Sequence, residues 1–195
     1  MQGERITESE LTNNFKCSRG PVREALVQLS KEGFISLTEN KGAIVKKLSA
    51  QEVRDYYSLL EVIEGKAVEW ATLRLKNSDI ERLVVINNSL KQLNPDDENY
   101  LEEWCVRNSA FHEIFRKQCG NHKMPWITNE IRQRIFRYLF SSLLTSLKNE
   151  YIEDHENIID AVRRKNPTEA CKAMEKHISR AKDFLLRFLN QTNAY

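Results

Sequence analysis

Glycine and proline are scarce in this chain, at six and four among 195 residues, and no cluster of either marks a flexible linker. No internal repeat or low-complexity tract is present. Long apolar runs are also missing. None approaches the roughly 18 residues that a membrane-spanning helix needs, so no membrane contact is expected. The first ten residues, MQGERITESE, are polar and acidic. They lack the basic-then-apolar order of a secretory signal, and a cytoplasmic protein is the expectation. The four cysteines, Cys17, Cys105, Cys119 and Cys171, form no C-x-x-C pair. They read as reduced thiols packed as small core residues, not as a cysteine-built zinc site. Charge of one sign is lacking too. The net charge is +2, and the excess sits in residues 1–48, which hold eight Lys/Arg against six Asp/Glu. What remains is a composition of 41% apolar and 30% charged residues, ordinary for a globular protein.

Two regions differ in texture. Turn formers cluster at Gly33 and in Thr38-Glu39-Asn40-Lys41-Gly42, whereas the text after Leu48 is helical almost to its end. The natural division is therefore 1–48 and 49–195. In the first region, Thr7 and Glu10 make a T-x-x-E capping box that opens a helix, with Leu11 and Phe15 as its apolar edge. A turn follows at Lys16-Cys17. Ser18 is placed to cap a second helix, with Pro21 tolerated in its first turn. Val22, Ala25, Leu26 and Leu29 recur at helical spacing and predict one buried stripe, which Gly33 ends. Two β-type runs then flank Asn40-Lys41-Gly42 and predict a hairpin. Helix, tight turn, helix and hairpin is the order of a winged helix-turn-helix. Its second helix would enter the DNA major groove by its N-terminal end. Arg19 and Arg23 share a face away from the apolar stripe, and a guanidinium fork suits the O6/N7 edge of guanine. Gly20 lets backbone approach a phosphate, and Lys41 and Gly42 would form the wing tip. Taken singly, Arg19 and Arg23 also read as ordinary surface charges.

The second region reads as six or seven helices, with breaks at Asn77-Ser78, Asn94-Pro95-Asp96-Asp97, Gly120-Asn121 and Asn166-Pro167. Stripes such as Val53, Tyr57, Leu60, Ile63 and Ala67 are core by default, and an antiparallel bundle is the simplest packing. Four histidines occur in the chain: His112, His122, His155 and His177. Asn108 and His112 are four apart and share a helix face. If the faces of His112, His155 and His177 meet, three imidazoles and an amide oxygen converge, a donor set suited to zinc, nickel or a similar divalent ion. The competing reading is helix caps or satisfied core residues. A metalloenzyme would need an acid or base beside the ion. Glu113 and Glu156 adjoin the histidines in sequence but face away on a helix, so no catalysis is expected.

The run Ser18-Arg19-Gly20-Pro21-Val22-Arg23-Glu24-Ala25-Leu26, with Gly3 to Leu11, Leu29, Glu32-Gly33 and Asn40-Lys41-Gly42, resembles the DNA-binding domain of the GntR family. Asn108-Ser109-Ala110-Phe111-His112, Gly120-Asn121 and His155…Ala161…Ala170…Met174…His177 resemble the FCD ligand-binding domain of its FadR branch. The resemblance implies a homodimeric regulator of double-stranded operator DNA. Ser18 would contact phosphate, Arg19 and Arg23 bases, and Gly42 would stand at the wing tip. It also implies a metal held by an Asp and three His, which carry over to Asn108, His112, His155 and His177. A small carboxylate effector would bind beside that metal. Of Arg132, Arg134 and Arg137, Arg134 is chosen to face it, with exposure of all three as the alternative. Three departures stand out. Asn108 replaces the family's Asp, a weaker ligand for a hard cation. Leu60 replaces an Arg in the pattern Y-x-x-R-x-x-x-E. The helix that family members carry before the segment matched by Gly3 is missing, so weakened DNA binding is expected. A regulator that answers to the metal alone, and a bare interaction module, are the further alternatives.

Overall fold

The computed structural model describes residues 3–38, 42–46, 49–136 and 141–192, with side chains except at 136, 141–147, 191 and 192. It divides into two compact units, Met1–Ser49 and Ala50–Tyr195.

The first unit contains β1 (Arg5–Ile6), α1 (Glu8–Phe15), α2 (Arg19–Lys31), β2 (Ile35–Thr38) and β3 (Gly42–Val45). Thr7 caps α1 through the reciprocal box. The Glu10 amide donates to Thr7 Oγ1 at 3.2 Å, and the Thr7 amide donates to Glu10 Oε2 at 2.8 Å. Lys16, in the left-handed region at φ 51°, ends α1. Ser18 occupies the N-cap of α2, but its hydroxyl makes no capping bond. Gly33, at φ 82°, turns the chain out of α2. β2 and β3 pair antiparallel, with Ser36 opposite Ile44.

Three features of this unit depart from the sequence reading. A third strand, β1, pairs antiparallel with β3 and gives the order β1-β3-β2. In α2 only Val22 and Leu26 are buried, whereas Leu29 is 39% exposed. Phe15 is 73% exposed, so of the expected apolar edge of α1 only Leu11 packs on the Val22, Leu26, Ile35 and Ala43 core. Lys41, expected with Gly42 at the wing tip, lies outside the described residues, as does Arg137.

The second unit is all-helical: α3 (Ala50–Thr72), α4 (Asn77–Lys91), α5 (Tyr100–Gln118), α6 (Met124–Phe136), α7 (Ser141–Arg163) and α8 (Pro167–Thr192). The breaks fall where small polar residues, glycine and proline interrupt the periodicity. Pro167 opens α8, where its missing N–H costs no helical bond. α8 runs along α3 and α7, α5 packs on α3 and α4, and α4 also packs on α7. Leu90, Tyr100, Trp104, Tyr151 and Ile152 form a buried cluster between α4, α5 and α7. Large apolar side chains stabilise by about 1.5–3 kcal/mol each when buried, so these contacts hold the facing histidine-bearing helices at fixed separation. No helix among the described residues is long and apolar enough to cross a membrane.

Candidate functional site

On α5, Cys105, Asn108 and His112 follow one another at i, i+3 and i+7 and share one face. α7 brings Tyr151, Asp154 and His155, and α8 brings His177, Ile178 and Ala181. His112, His155 and His177 are buried, with one ring nitrogen from each lying within 4.8 Å of the others. Their ring centroids are 4.7–5.6 Å apart. Phe111 stacks flat on His155, at 3.8 Å between centroids and 9° between planes, and fixes that ring from behind.

Each imidazole has a polar neighbour on its outer side. The Asn87 amide donates to the carbonyl of Ile152 at 3.3 Å, which turns its Oδ1 toward His155 Nδ1 at 3.1 Å. An amide oxygen only accepts, so Nδ1 must carry the proton and His155 Nε2 keeps its lone pair. His177 Nδ1 lies 3.6 Å from Asp154 Oδ2, and Asp154 is gripped by Arg180 at 2.8 and 3.2 Å. His112 Nδ1 lies 3.8 Å from Glu64 Oε2, beyond hydrogen-bond reach. Glu64 is fully buried on α3. It pairs with Arg116 at 2.8 Å and faces Arg132 at 3.8 Å. Outer partners of this kind orient ligating histidines in metal sites.

Both nitrogens of His112, His155 Nε2 and His177 Nδ1 are buried with no hydrogen-bond partner among the described residues. Two of them, His112 Nδ1 and His177 Nδ1, have a carboxylate within 3.8 and 3.6 Å, whereas His112 Nε2 and His155 Nε2 have none, and a buried polar atom left unpaired costs about 1–3 kcal/mol. Burial holds the His112 imidazole near pKa 3, against the pull of Glu64. Burial, and then the nearness of His177 and His112, push His155 well below its ordinary value. These two imidazoles are therefore neutral at physiological pH, the state in which a ring nitrogen can bind a cation. The donor set fits a divalent metal of the zinc or nickel type.

The cluster borders a cavity of about 90 Å³. Asn108, His112, His177 and Arg132 supply its polar side, and Leu60, Trp104, Cys105, Ile135, Ile178 and Ala181 much of the rest. Arg132 thus takes the place expected of Arg134. On α6, Arg132 and Ile135 are three apart and face inward together. Arg134 lies two positions from Arg132, on the other side of the helix, and does not line the cavity. Leu60 is buried in the cavity wall. His122 is exposed.

In the first unit, Arg19 and Gly20 open α2 and are exposed, as is Ser18. A Cβ placed on Gly20 would meet nothing within 4 Å, so nothing among the described residues requires glycine there. Arg23 is 65% exposed and its Nε donates to both oxygens of Glu8, at 2.8 and 2.9 Å. Gly42 opens β3 at φ 83°, where a Cβ would sit 2.4 Å from the carbonyl oxygen of Ile6, so its backbone conformation and its contact with β1 both require glycine.

Sequence reasoning missed Asn87, Asp154 and Arg116, and named Arg132 only beside the preferred Arg134. Asp154 precedes His155 and Arg116 follows His112 by four on α5, so both had a faint signal, whereas Asn87 comes from α4 at no fixed spacing.

Residues 55–180 match the FCD domain family, and residues 1–45 match the family described as bacterial regulatory proteins, gntR family. The chain is 30% identical over 186 residues to the HTH-type transcriptional repressor GlaR of Escherichia coli (strain K12), covering 90% of this chain and 83% of that protein. It is 25% identical over 186 residues to the gluconate operon transcriptional repressor of Bacillus subtilis (strain 168), covering 91% and 74%. Among solved structures, E. coli McbR/YncC shares the fold at a TM-score of 0.77 and 18% identity, over 96% of this chain and 89% of that one.

Proposed function

The chain belongs to the GntR family of bacterial regulatory proteins and carries an FCD domain, which makes it a DNA-binding transcription regulator and not an enzyme; from that premise we propose that a small carboxylate, bound beside a divalent metal in the helical unit, sets its affinity for operator DNA. The observation that carries the proposal is the convergence of three buried imidazoles, each with a ring nitrogen that lacks a hydrogen bond among the described residues, beside a cavity that also holds a guanidinium. His112, His155 and His177 would hold the metal, with the Asn108 amide oxygen as fourth donor. A neutral amide in that place makes the site weaker than one with a carboxylate, and zinc or nickel matches a nitrogen-rich set. Once bound, the ion supplies an open position for a carboxylate oxygen. Arg132 takes the acid's charge from the cavity wall and orients it by charge-assisted hydrogen bonds.

Operator recognition rests on α2. Arg19 reads base edges, and Ser18 and the bare backbone at Gly20 approach phosphate, as the open space around Gly20 supports. Arg23 joins them by exchanging Glu8 for DNA. The regulator works as a homodimer on paired half-sites. The acid acts by population shift. It changes DNA affinity only to the extent that it binds the two states of the dimer unequally.

Native mass spectrometry of the full chain during zinc titration tests the metal part. One ion per protomer is expected. His155→Ala and His177→Ala should each lose more affinity than the 10–100-fold that removal of an outer partner costs. Unchanged binding in both variants would remove the metal from the account.

A further inference from the structure

We propose that the acid taken by the cavity is a compact monocarboxylate with an apolar tail, not a dicarboxylate or a polyhydroxy acid. This rests on the carboxylate-effector reading above and narrows it.

The cavity lining mixes a few polar groups with a larger apolar set. Among the described residues that line it, Arg132 is the one cationic side chain, and Asn108, His112 and His177 line it too. Leu60, Ile135, Ile178 and Ala181 come from α3, α6 and α8 and offer neither charge nor hydrogen-bonding side chains. Trp104 adds a broad ring surface that is itself buried. Cys105 behaves as one more apolar group, because burial pushes its thiol up to about 11 and keeps it protonated.

With the ion and Arg132 both engaged by the first carboxylate, a second one would find no further cationic side chain among the described lining residues. It would also approach the buried carboxylate of Glu64, which lies 3.8 Å from the Arg132 guanidinium. An unpaired buried charge is a far larger penalty than an unpaired hydroxyl. Several hydroxyls fare little better. The phenols of Tyr57 and Tyr151 also line the cavity and serve one hydroxyl near the acid end, but a chain of them outruns the available partners.

Size sets the second limit. At about 90 Å³ the cavity is small, which favours a compact acid. A branched or short-chain aliphatic acid suits that space better than a six-carbon sugar acid.

Isothermal titration calorimetry of the zinc-loaded full chain with isovalerate, succinate and glycerate, three acids of similar size, tests the proposal. Isovalerate should bind at least tenfold more tightly than either of the others, with a negative heat-capacity change from burial of its tail. Succinate or glycerate binding as tightly as isovalerate, or more so, would overturn the proposal and leave the carboxylate reading intact. No heat from any of the three would overturn both. Leu60→Arg, if circular dichroism shows a native fold, should move the preference toward succinate. If it does not fold, the ranking on the unaltered chain decides alone.

Discussion

Asn87 makes one contact that decides what His155 is able to do. Its amide is fixed by the carbonyl of Ile152, so its oxygen must accept from His155 Nδ1 and the opposite ring nitrogen is left with a lone pair. Asn87→Leu keeps the volume and removes the acceptor. The expected result is zinc affinity lowered about 10–100-fold, measured by competition with a chelator, with helical content unchanged. His112 and Glu64 give a second expectation at this scale. Burial lowers His112 from 6.5 to about 3 in the folded chain, and the groups around Glu64 lower it from 4.5 to about 2. Both folded values lie below the unfolded ones, so as pH falls the unfolded chain takes up protons first. Their stabilising contributions are intact above the unfolded values and are lost as pH drops toward the folded ones. The Tm of the metal-free chain should therefore fall as pH goes from 6.5 toward 4. A Tm that rises over that interval would contradict the assignment. The three histidines were legible in the sequence through the resemblance, since periodicity placed only Asn108 and His112 on one face and left helix caps or satisfied core residues open. Their partners were not. Asn87, Arg132 and Glu64 reach the site from three different helices, and a distance between helices leaves no trace in a spacing. The choice of Arg134 failed by two residues, a helical rotation that one run of apolar positions on a short helix could not resolve.

At the scale of elements, the helix-turn-helix was the most readable part of the chain. A reciprocal cap at Thr7, a positive-φ exit at Gly33 and a two-strand pattern each have local causes, and local causes are written in adjacent residues. β1 was not readable, since two residues carry no alternation. It exists because Arg5 and Ile6 find an edge on β3 and Gly42 leaves room for the carbonyl of Ile6. Leu29 shows the converse. Periodicity put it on the stripe of Val22 and Leu26, yet burial needs a neighbour as well as a phase, and the small core of this unit stops short of it. The Glu8–Arg23 pair joins α1 to α2 across an exposed surface. Exposed pairs are worth roughly 0.2–1 kcal/mol, so breaking this one should leave the fold in place. Glu8→Gln should accordingly raise affinity for duplex DNA by a few-fold in fluorescence anisotropy, because Arg23 no longer exchanges one partner for another. Arg19→Ala should lower specific affinity by about 1–3 kcal/mol. Equal binding by the Arg19→Ala chain and the unaltered one would take α2 out of base recognition.

For the whole molecule, the account joins two units that each have an ordinary internal logic. The first presents an arginine-bearing helix end, and the second holds a cluster of buried imidazoles beside a small, largely apolar cavity. A net charge of +2 gives little long-range pull toward DNA, so affinity depends on a few placed contacts. Such a molecule responds to a ligand only if ligand and DNA favour different states, and the coupling is reciprocal. The most direct measurement is the affinity of the full chain for a duplex enriched from a random-sequence pool, taken with and without isovalerate in the presence of zinc. The same titration is then run on His177→Ala. The account predicts that the acid shifts affinity at least tenfold for the unaltered chain and leaves the variant's affinity unchanged. An equal shift in both proteins would contradict it.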